Sequence, residues 1–281
     1  MKEIINPPMS KYLNVYLSKC LIVSLLVCLS ACEKDIDLDY HQVDPIYVVE
    51  ASISNSGTEI RISRTNNMDD NNGISDVTGT KVTISDDEGN KWNIPYSRNG
   101  FHRMPSLMGE PGTTYNIDVE IEGNHYTSTS TMQRQPKMNS FRFVWMKVAS
   151  ERIMFGDLKI QDIPNEDNWY YMHIYRNGIG YRWALLRDDR NPNKELQQLF
   201  SFFHDGRSDD SDVLKEGDRL RILIRAIDQR AYDYLYSLQL MDNTGTNPIP
   251  NFTGGCLGYF SAYSHVIYNY VFHEADMKDE D

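Results

Sequence analysis

Beyond residue 45 the chain is built from short runs in which apolar and polar residues alternate. The cleanest is Tyr115-Asn116-Ile117-Asp118-Val119-Glu120-Ile121, apolar at every odd position and polar at every even one. A period of two marks a strand with one buried face. Similar runs predict strands over 46–53, 57–63, 81–85, 91–94, 100–104 and 126–131. Turn sequences punctuate them, among them Asp87-Glu88-Gly89-Asn90 and Glu122-Gly123-Asn124. Short strands at this spacing predict an immunoglobulin-like β-sandwich over residues 46–134. The expectation concerns architecture alone, because the Cys and Trp core of antibody domains is missing.

Gln133-Arg134-Gln135-Pro136 reads as a linker into a C-terminal β-rich domain, 135–273. Strands are expected there over 141–146, 153–160, 169–175, 181–186, 199–203 and 220–227, with closing strands over 259–263 and 266–272. The chain has one convincing helix, 229–241, with Asp228 as its N-cap and Ala231, Leu235, Leu238 and Met241 along one face. Residues 66–78, 188–194 and 205–212 are polar loops, and 274–281 form an acidic tail.

The N-terminus departs from this pattern. Lys11 and Lys19 precede the apolar stretch Leu21–Leu29, which runs into Leu29-Ser30-Ala31-Cys32. A basic flank, a short apolar core and small residues predict a secretory signal peptide over residues 1–31, with Met9 as an alternative start. The core is shorter than the roughly 20 apolar residues that span a bilayer. Cys after Leu-Ser-Ala resembles a bacterial lipobox, which implies cleavage before Cys32 and lipidation of its thiol. Several acyl chains hold a protein to a membrane far more firmly than one. Residues 32–45 then form an acidic tether. Its Glu33-Lys34-Asp35-Ile36-Asp37-Leu38-Asp39 resembles the export signal of Bacteroidota surface lipoproteins, implying the outer face of the outer membrane, with the periplasmic face as the alternative.

Loss of residues 1–31 removes Lys2, Lys11, Lys19 and Glu3. The 28 basic and 40 acidic residues of the full chain become 25 and 39, a net charge of −14. That balance argues against nucleic acid, whose phosphates require clustered Lys and Arg. Cys20 and Cys28 leave with the signal and Cys32 is lipidated, so Cys256 remains without a disulfide partner.

Motifs for catalysis are missing: there is no Gly-x-Ser-x-Gly and no His-Glu-x-x-His, and the histidines are scattered singly. Cys256, in a Gly-rich turn, reads as a small packing residue. Met68-Asp69-Asp70-Asn71-Asn72-Gly73 nearly imitates a calcium loop but puts Met68 where the first carboxylate belongs and has no Glu at the twelfth place, and Asp205–Asp212 has carboxylates enough for a weak site; both read as solvated loops. The expectation is a non-enzyme with no cofactor and no metal. Aromatic residues are the best binding clue. Trp169, Tyr171 and Tyr175 lie on one face of a strand with His173, and Tyr181 and Trp183 follow across the Asn177-Gly178 turn, where they would join that face. Such rings suit sugar faces, or a peptide with help from Arg182 and Arg187. Packing beneath the helix and a neighbouring domain is the reading preferred over a ligand platform, since aromatic strands in layered folds are routinely covered on both sides.

Several phrases occur together in order: the acidic tether followed by YVVEASIS, KVTISDDEGN, GTTYNIDVEIEGNHYTSTS, DNWYYMHIYRNG, GDRLRILIRAIDQRAYDYLYSL and NPIPNFTGGCLGYFSAYS. In this the chain resembles the Bacteroidota lipoprotein family called domain of unknown function 4249, over nearly the whole mature sequence. Ala51, where a glycine is expected, is a departure that touches packing alone. The resemblance implies an outer-membrane lipoprotein accompanying a TonB-dependent transporter of glycans or peptides, and it brings no catalytic residues. The expected role is a surface-anchored, non-catalytic accessory subunit of a starch-utilisation-type import system. Its partners would be the membrane, the transporter barrel and the system's substrate-binding lipoprotein. A structural or adhesive lipoprotein and a hydrolase with an unrecognised site are the alternatives.

Overall fold

The structure, a computed structural model, describes residues 44–66, 75–188, 195–202, 213–244 and 248–279. The signal peptide, Cys32, most of the tether and both acidic stretches weighed for calcium lie outside the described residues in whole or in large part. Among the described residues seventeen strands run in order: β1 Tyr47–Ser54, β2 Gly57–Arg64, β3 Ser75–Asp76, β4 Lys81–Asp86, β5 Lys91–Ile94, β6 Tyr96–Arg98, β7 Phe101–Met104, β8 Thr114–Ile121, β9 Asn124–Thr131, β10 Met138–Val148, β11 Glu151–Gln161, β12 Trp169–Arg176, β13 Ile179–Arg187, β14 Glu195–Phe202, β15 Arg219–Ile227, β16 Leu257–Val271 and β17 Met277–Asp279. The helix α1, Gln229–Thr244, connects β15 to β16. The fold is mostly β and of sandwich type, with three sheets and, among the described residues, one α-helix.

A nine-stranded sheet ordered β13-β12-β15-β16-β1-β2-β7-β6, with β3 beside β2, is the spine of the molecule. The others are four-stranded, β5-β4-β8-β9 and β14-β11-β10-β17. Two hydrophobic cores follow from alternation. The first joins Val49, Ala51 and Ile53 of β1 and Ile60 and Ile62 of β2 to Val82, Ile84, Ile117, Val119 and Ile121 of the β5-β4-β8-β9 sheet. The second joins Tyr170, Met172 and Ile174 of β12 and Leu220, Ile222 and Ile224 of β15 to Phe143, Met154, Leu158 and Phe202 of the other small sheet. Side chains of this size contribute about 1.5–3 kcal/mol each when fully buried.

β16 belongs to both cores. Sequence predicts two closing strands, but the structure has one of 15 residues. Its even positions keep one face throughout: Phe260 and Ala262 enter the first core, and Val266, Tyr268 and Tyr270 pack on the second. Ser264, fully buried, is small enough to continue the face where the apolar pattern lapses. The first core thus takes Phe252, Cys256, Phe260 and Ala262 from beyond residue 134, and one sheet carries both cores. The seam is a parallel pairing of β1 with β16, Val49 opposite Gly258 and Ala51 opposite Phe260. Gly258 has φ +100°, and a Cβ there would collide with the Val49 carbonyl, so glycine is required.

Two further differences have local causes. Residues 274–281, expected as an acidic tail, contain a turn of 3-10 helix at Glu274–Asp276 and then β17, which pairs in parallel with Phe143–Trp145 of β10. Asp228 caps α1 as expected, accepting the Ala231 N–H at 2.9 Å. The buried helix face, however, is Ala231 and Tyr234, while Leu238 and Met241 are 40% and 37% exposed. The Tyr234 ring stacks on Tyr259 of β16 at 5.2 Å, which fixes the rotation of the helix by its first turns and leaves the later ones proud.

Candidate functional site

Because both small sheets cover the same face of β16, the opposite face of the nine-stranded sheet is left, among the described residues, to α1. Tyr259 and Tyr234 place the helix over one part of it. Beyond that cover, strand register brings side chains of four strands into rows. One row is Trp183, His173, Leu223 and Ile267. The next is Leu185, Tyr171, Arg225 and His265. On the other side of the first lie Gly180, Tyr175, Arg221 and Asn269. Same-face rows are about 7 Å apart, two residues along a strand.

Of the five aromatic residues singled out from sequence, three meet closely here. Tyr171 stacks on Trp183 at 6.1 Å, and Tyr175 stacks on His173 at 4.1 Å. The Tyr171 hydroxyl and His173 Nδ1 share a hydrogen bond of 3.0 Å. Trp169 lies on the same face of β12, half-buried, with Arg187 and Ile227 as its cross-strand neighbours. Tyr181 does not join them. A register irregularity between Ile174 and Tyr175 shifts β13 by one residue, which reverses the facing of a side chain. Tyr181 consequently stacks on Phe202 of the second core at 5.5 Å, with Arg182 over its ring at 4.3 Å.

The residues that sequence reading missed come from β15 and β16. Arg219, Arg221 and Arg225 occupy alternate positions of β15, opposite in facing to Leu220, Ile222 and Ile224. The signal was visible as arginine at every second place, but only the sheet order puts it beside β12. The Arg225 guanidinium lies over Tyr263 at 4.6 Å and Tyr171 at 5.4 Å, and Arg221 lies over Tyr175 at 5.4 Å. Such cation–π contacts are stronger where water is partly excluded.

The electrostatics of this face are one-sided. Burial pushes His173 and His265 below the usual imidazole range, and the Arg225 charge pushes the same way on both, joined by Arg221 at His265. Both rings are therefore neutral at pH 7. Burial raises the Tyr171 hydroxyl to about 12 although Arg225 opposes it. No carboxylate belongs to any of the three rows.

At the end of this face a groove of about 530 Å³ is lined by Asn177, Gly178, Arg219, Arg221, Asn269 and Val271, with Leu220 and Tyr270 between. Its rim is built by Asp218, which is 8% exposed. Asp218 Oδ2 accepts from Arg176 Nε at 2.7 Å and the Lys215 N–H at 2.8 Å, and Oδ1 accepts from Asn177 Nδ2 at 2.7 Å. Asn177 Oδ1 in turn accepts the Arg219 N–H at 3.0 Å. Burial alone would raise the Asp218 carboxyl, but these donors prevail and hold it below the usual carboxylate range.

The other places weighed for chemistry are occupied by packing. Cys256 is buried in the first core, where burial pushes its thiol up to about 11, far from the reactive thiolate range. His273 pairs with Glu216 at 2.6 Å. Among the described residues no three His, Cys, Asp or Glu side chains gather as a metal site. The rows can thus bind and orient through ring faces, guanidinium groups and amides. Their one hydroxyl–imidazole pair is Tyr171 with His173, and burial keeps that hydroxyl up at about 12.

The model of one protein family, described as domain of unknown function (DUF4249), matches residues 33–266. No curated protein matches the chain.

Proposed function

The chain belongs to the DUF4249 family, and from that premise we propose that it is a non-catalytic, lipid-anchored accessory subunit of an outer-membrane, TonB-dependent import system of the starch-utilisation type. The observation that carries the binding role is the sheet face that no second sheet covers among the described residues, where Tyr171, His173, Tyr175 and Trp183 gather with Arg221. Aromatic and guanidinium groups held by strand pairing offer a preorganised surface, and preorganisation reduces the ordering cost of binding. The leader and Cys32 support anchoring at the membrane, and no helix among the described residues is long and apolar enough to cross one. The protein would hang from Cys32 through its acidic tether beside a transporter barrel and that system's substrate-binding lipoprotein, presenting captured ligand to them.

The test is a pull-down of the full-length protein from detergent-solubilised outer membranes. Recovery of a large barrel is expected, and recovery of none overturns the accessory role. Independently, Cys32→Ser is expected to release the folded protein from membranes. Retention in the outer-membrane fraction would count against the anchor.

A further inference from the structure

We propose that the groove bounded by Asn177, Arg219, Arg221 and Asn269 is a carboxylate subsite, and that the ligand class of the open face is an oligosaccharide of acidic sugars. The proposal rests on the binding role given above to the same face, and adds what is bound.

The first support is a contrast among arginines. Arg61, Arg64, Arg103, Arg134, Arg142 and Arg176 each pair with a carboxylate, at 2.6–3.8 Å. Arg219 and Arg221 are exposed, line the groove, and pair with no carboxylate among the described residues. The acidic residues next along the chain are already engaged, Asp218 by Arg176 and Glu216 by His273. In a chain of net charge −12, two adjacent guanidinium groups without carboxylate partners make a local positive field that its surroundings do not cancel. Guanidinium matches a carboxylate with two parallel hydrogen bonds, which a point charge cannot do.

A second support is the company these arginines keep. Asn269 stands directly opposite Arg221 and is exposed, so its amide is available to sugar hydroxyl groups as donor and acceptor. Val271, opposite Arg219 and 44% exposed, supplies an apolar wall. Trp183, 44% exposed, stands one row and two strands from Arg221, with β12 between them, about 7 Å along the strands and about 10 Å across them. A flat indole at that distance from a guanidinium suits one sugar ring stacked on carbon while another of the same oligosaccharide presents its carboxylate. The volume falls in the range of about 300–1,000 Å³ usual for small-ligand sites.

The experiment titrates the full mature protein with galacturonate and glucuronate trisaccharides, following tryptophan fluorescence and heat. A methyl-esterified galacturonate trisaccharide, a neutral glucose trisaccharide and an Asp-rich peptide serve as comparisons. Saturable binding of an acidic trisaccharide is expected, at least tenfold weaker for the methyl ester and weakened by salt. Arg221→Ala and Arg219→Ala should each lower affinity about tenfold, with Arg221→Lys in between, while the thermal unfolding midpoint stays put. Equal binding of acid and ester, no binding of either acidic trisaccharide, binding indifferent to both arginine substitutions, or binding of the peptide in their place overturns the proposal. Binding of the neutral trisaccharide that Trp183→Ala abolishes would overturn the carboxylate subsite and leave the binding face standing. Failure to recover a barrel bears on the accessory role and not on this groove.

Discussion

The two faces of β12 and β15 are made from the same strands and differ in what they are free to do. On the inner face Tyr170, Met172, Ile174, Leu220, Ile222 and Ile224 are all at most 1% exposed. On the outer face Tyr171, His173, Tyr175 and Arg225 are half-buried, and Arg219 and Arg221 are exposed. The contrast is not simply apolar against polar, since a tyrosine stands on each side of β12. Tyr170 is packed into the second core, where burial and the charges of Asp162, Asp188 and Glu166 raise its hydroxyl far above the usual range. Tyr171 instead spends its ring on Arg225 and Trp183 and its hydroxyl on His173. Identical chemistry becomes structure on one face and recognition surface on the other, according to whether a second sheet covers it.

The comparison presupposes one continuous sheet, so its strongest challenge is at the seam. Gly258→Val is expected to be the most damaging change, costing about 4 kcal/mol or more, because a side chain there meets the Val49 backbone. A urea titration of the variant should show both cores affected, since β16 contributes to each. If the second core melts unchanged, the two halves are less coupled than β16 implies. Next in size is Ile224→Ala on the inner face, expected to cost about 2–5 kcal/mol by leaving a cavity in a close-packed core. Ligand affinity measured below the new melting temperature should barely move, which separates the faces from the other side.

Asp218 lies between the faces, and its effect depends on pH. Its folded carboxyl is held below the usual range, so the stability it provides is complete above the unfolded value, about 3.9, and is lost as pH falls through the folded value. Asp218→Asn removes charge-assisted hydrogen bonds, each worth about 1.5–3 kcal/mol, and should destabilise at pH 7. The gap between variant and parent in urea midpoint should then narrow below about pH 4. A gap that stays constant down to pH 2 would show that the carboxylate charge is not what the Arg176–Asn177 corner uses.

Much of this was legible in sequence because alternation is a local signal. Strands β1, β2, β4, β8, β11, β12 and β15 are recognised from period and turns alone, and the Asp228 cap follows from one residue before an amphipathic run. Facing was harder. Tyr181 sits one residue from where a regular hairpin would aim it outward, and only the irregularity opposite Tyr175 turns it inward. Strand order was out of reach, because nothing local says that β15 lies between β12 and β16. The arginines of the site were therefore visible as residues but not as neighbours of the rings. The same limit hid β16, whose buried Ser264 looks like a break until both cores are seen on one face of it.

The smallest expected effect on stability is the most informative about the outer face. Arg221→Ala removes a guanidinium with no carboxylate partner among the described residues, exposed and held only over the Tyr175 ring at 5.4 Å. Surface changes of this kind usually stay within about 0.5 kcal/mol, and the loss of one partly exposed cation–π contact adds about 0.5–1 kcal/mol at most. Tyr175 itself retains the stacked His173, so the row should keep its geometry. Removing a positive charge also removes a neighbour that depresses His265, and its titration should move upward, a shift that imidazole resonances report directly. A variant that unfolds readily would mean that the outer face is core in all but exposure. One that is as stable as the parent, with His265 shifted, would mark Arg221 as a residue whose charge the fold does not need.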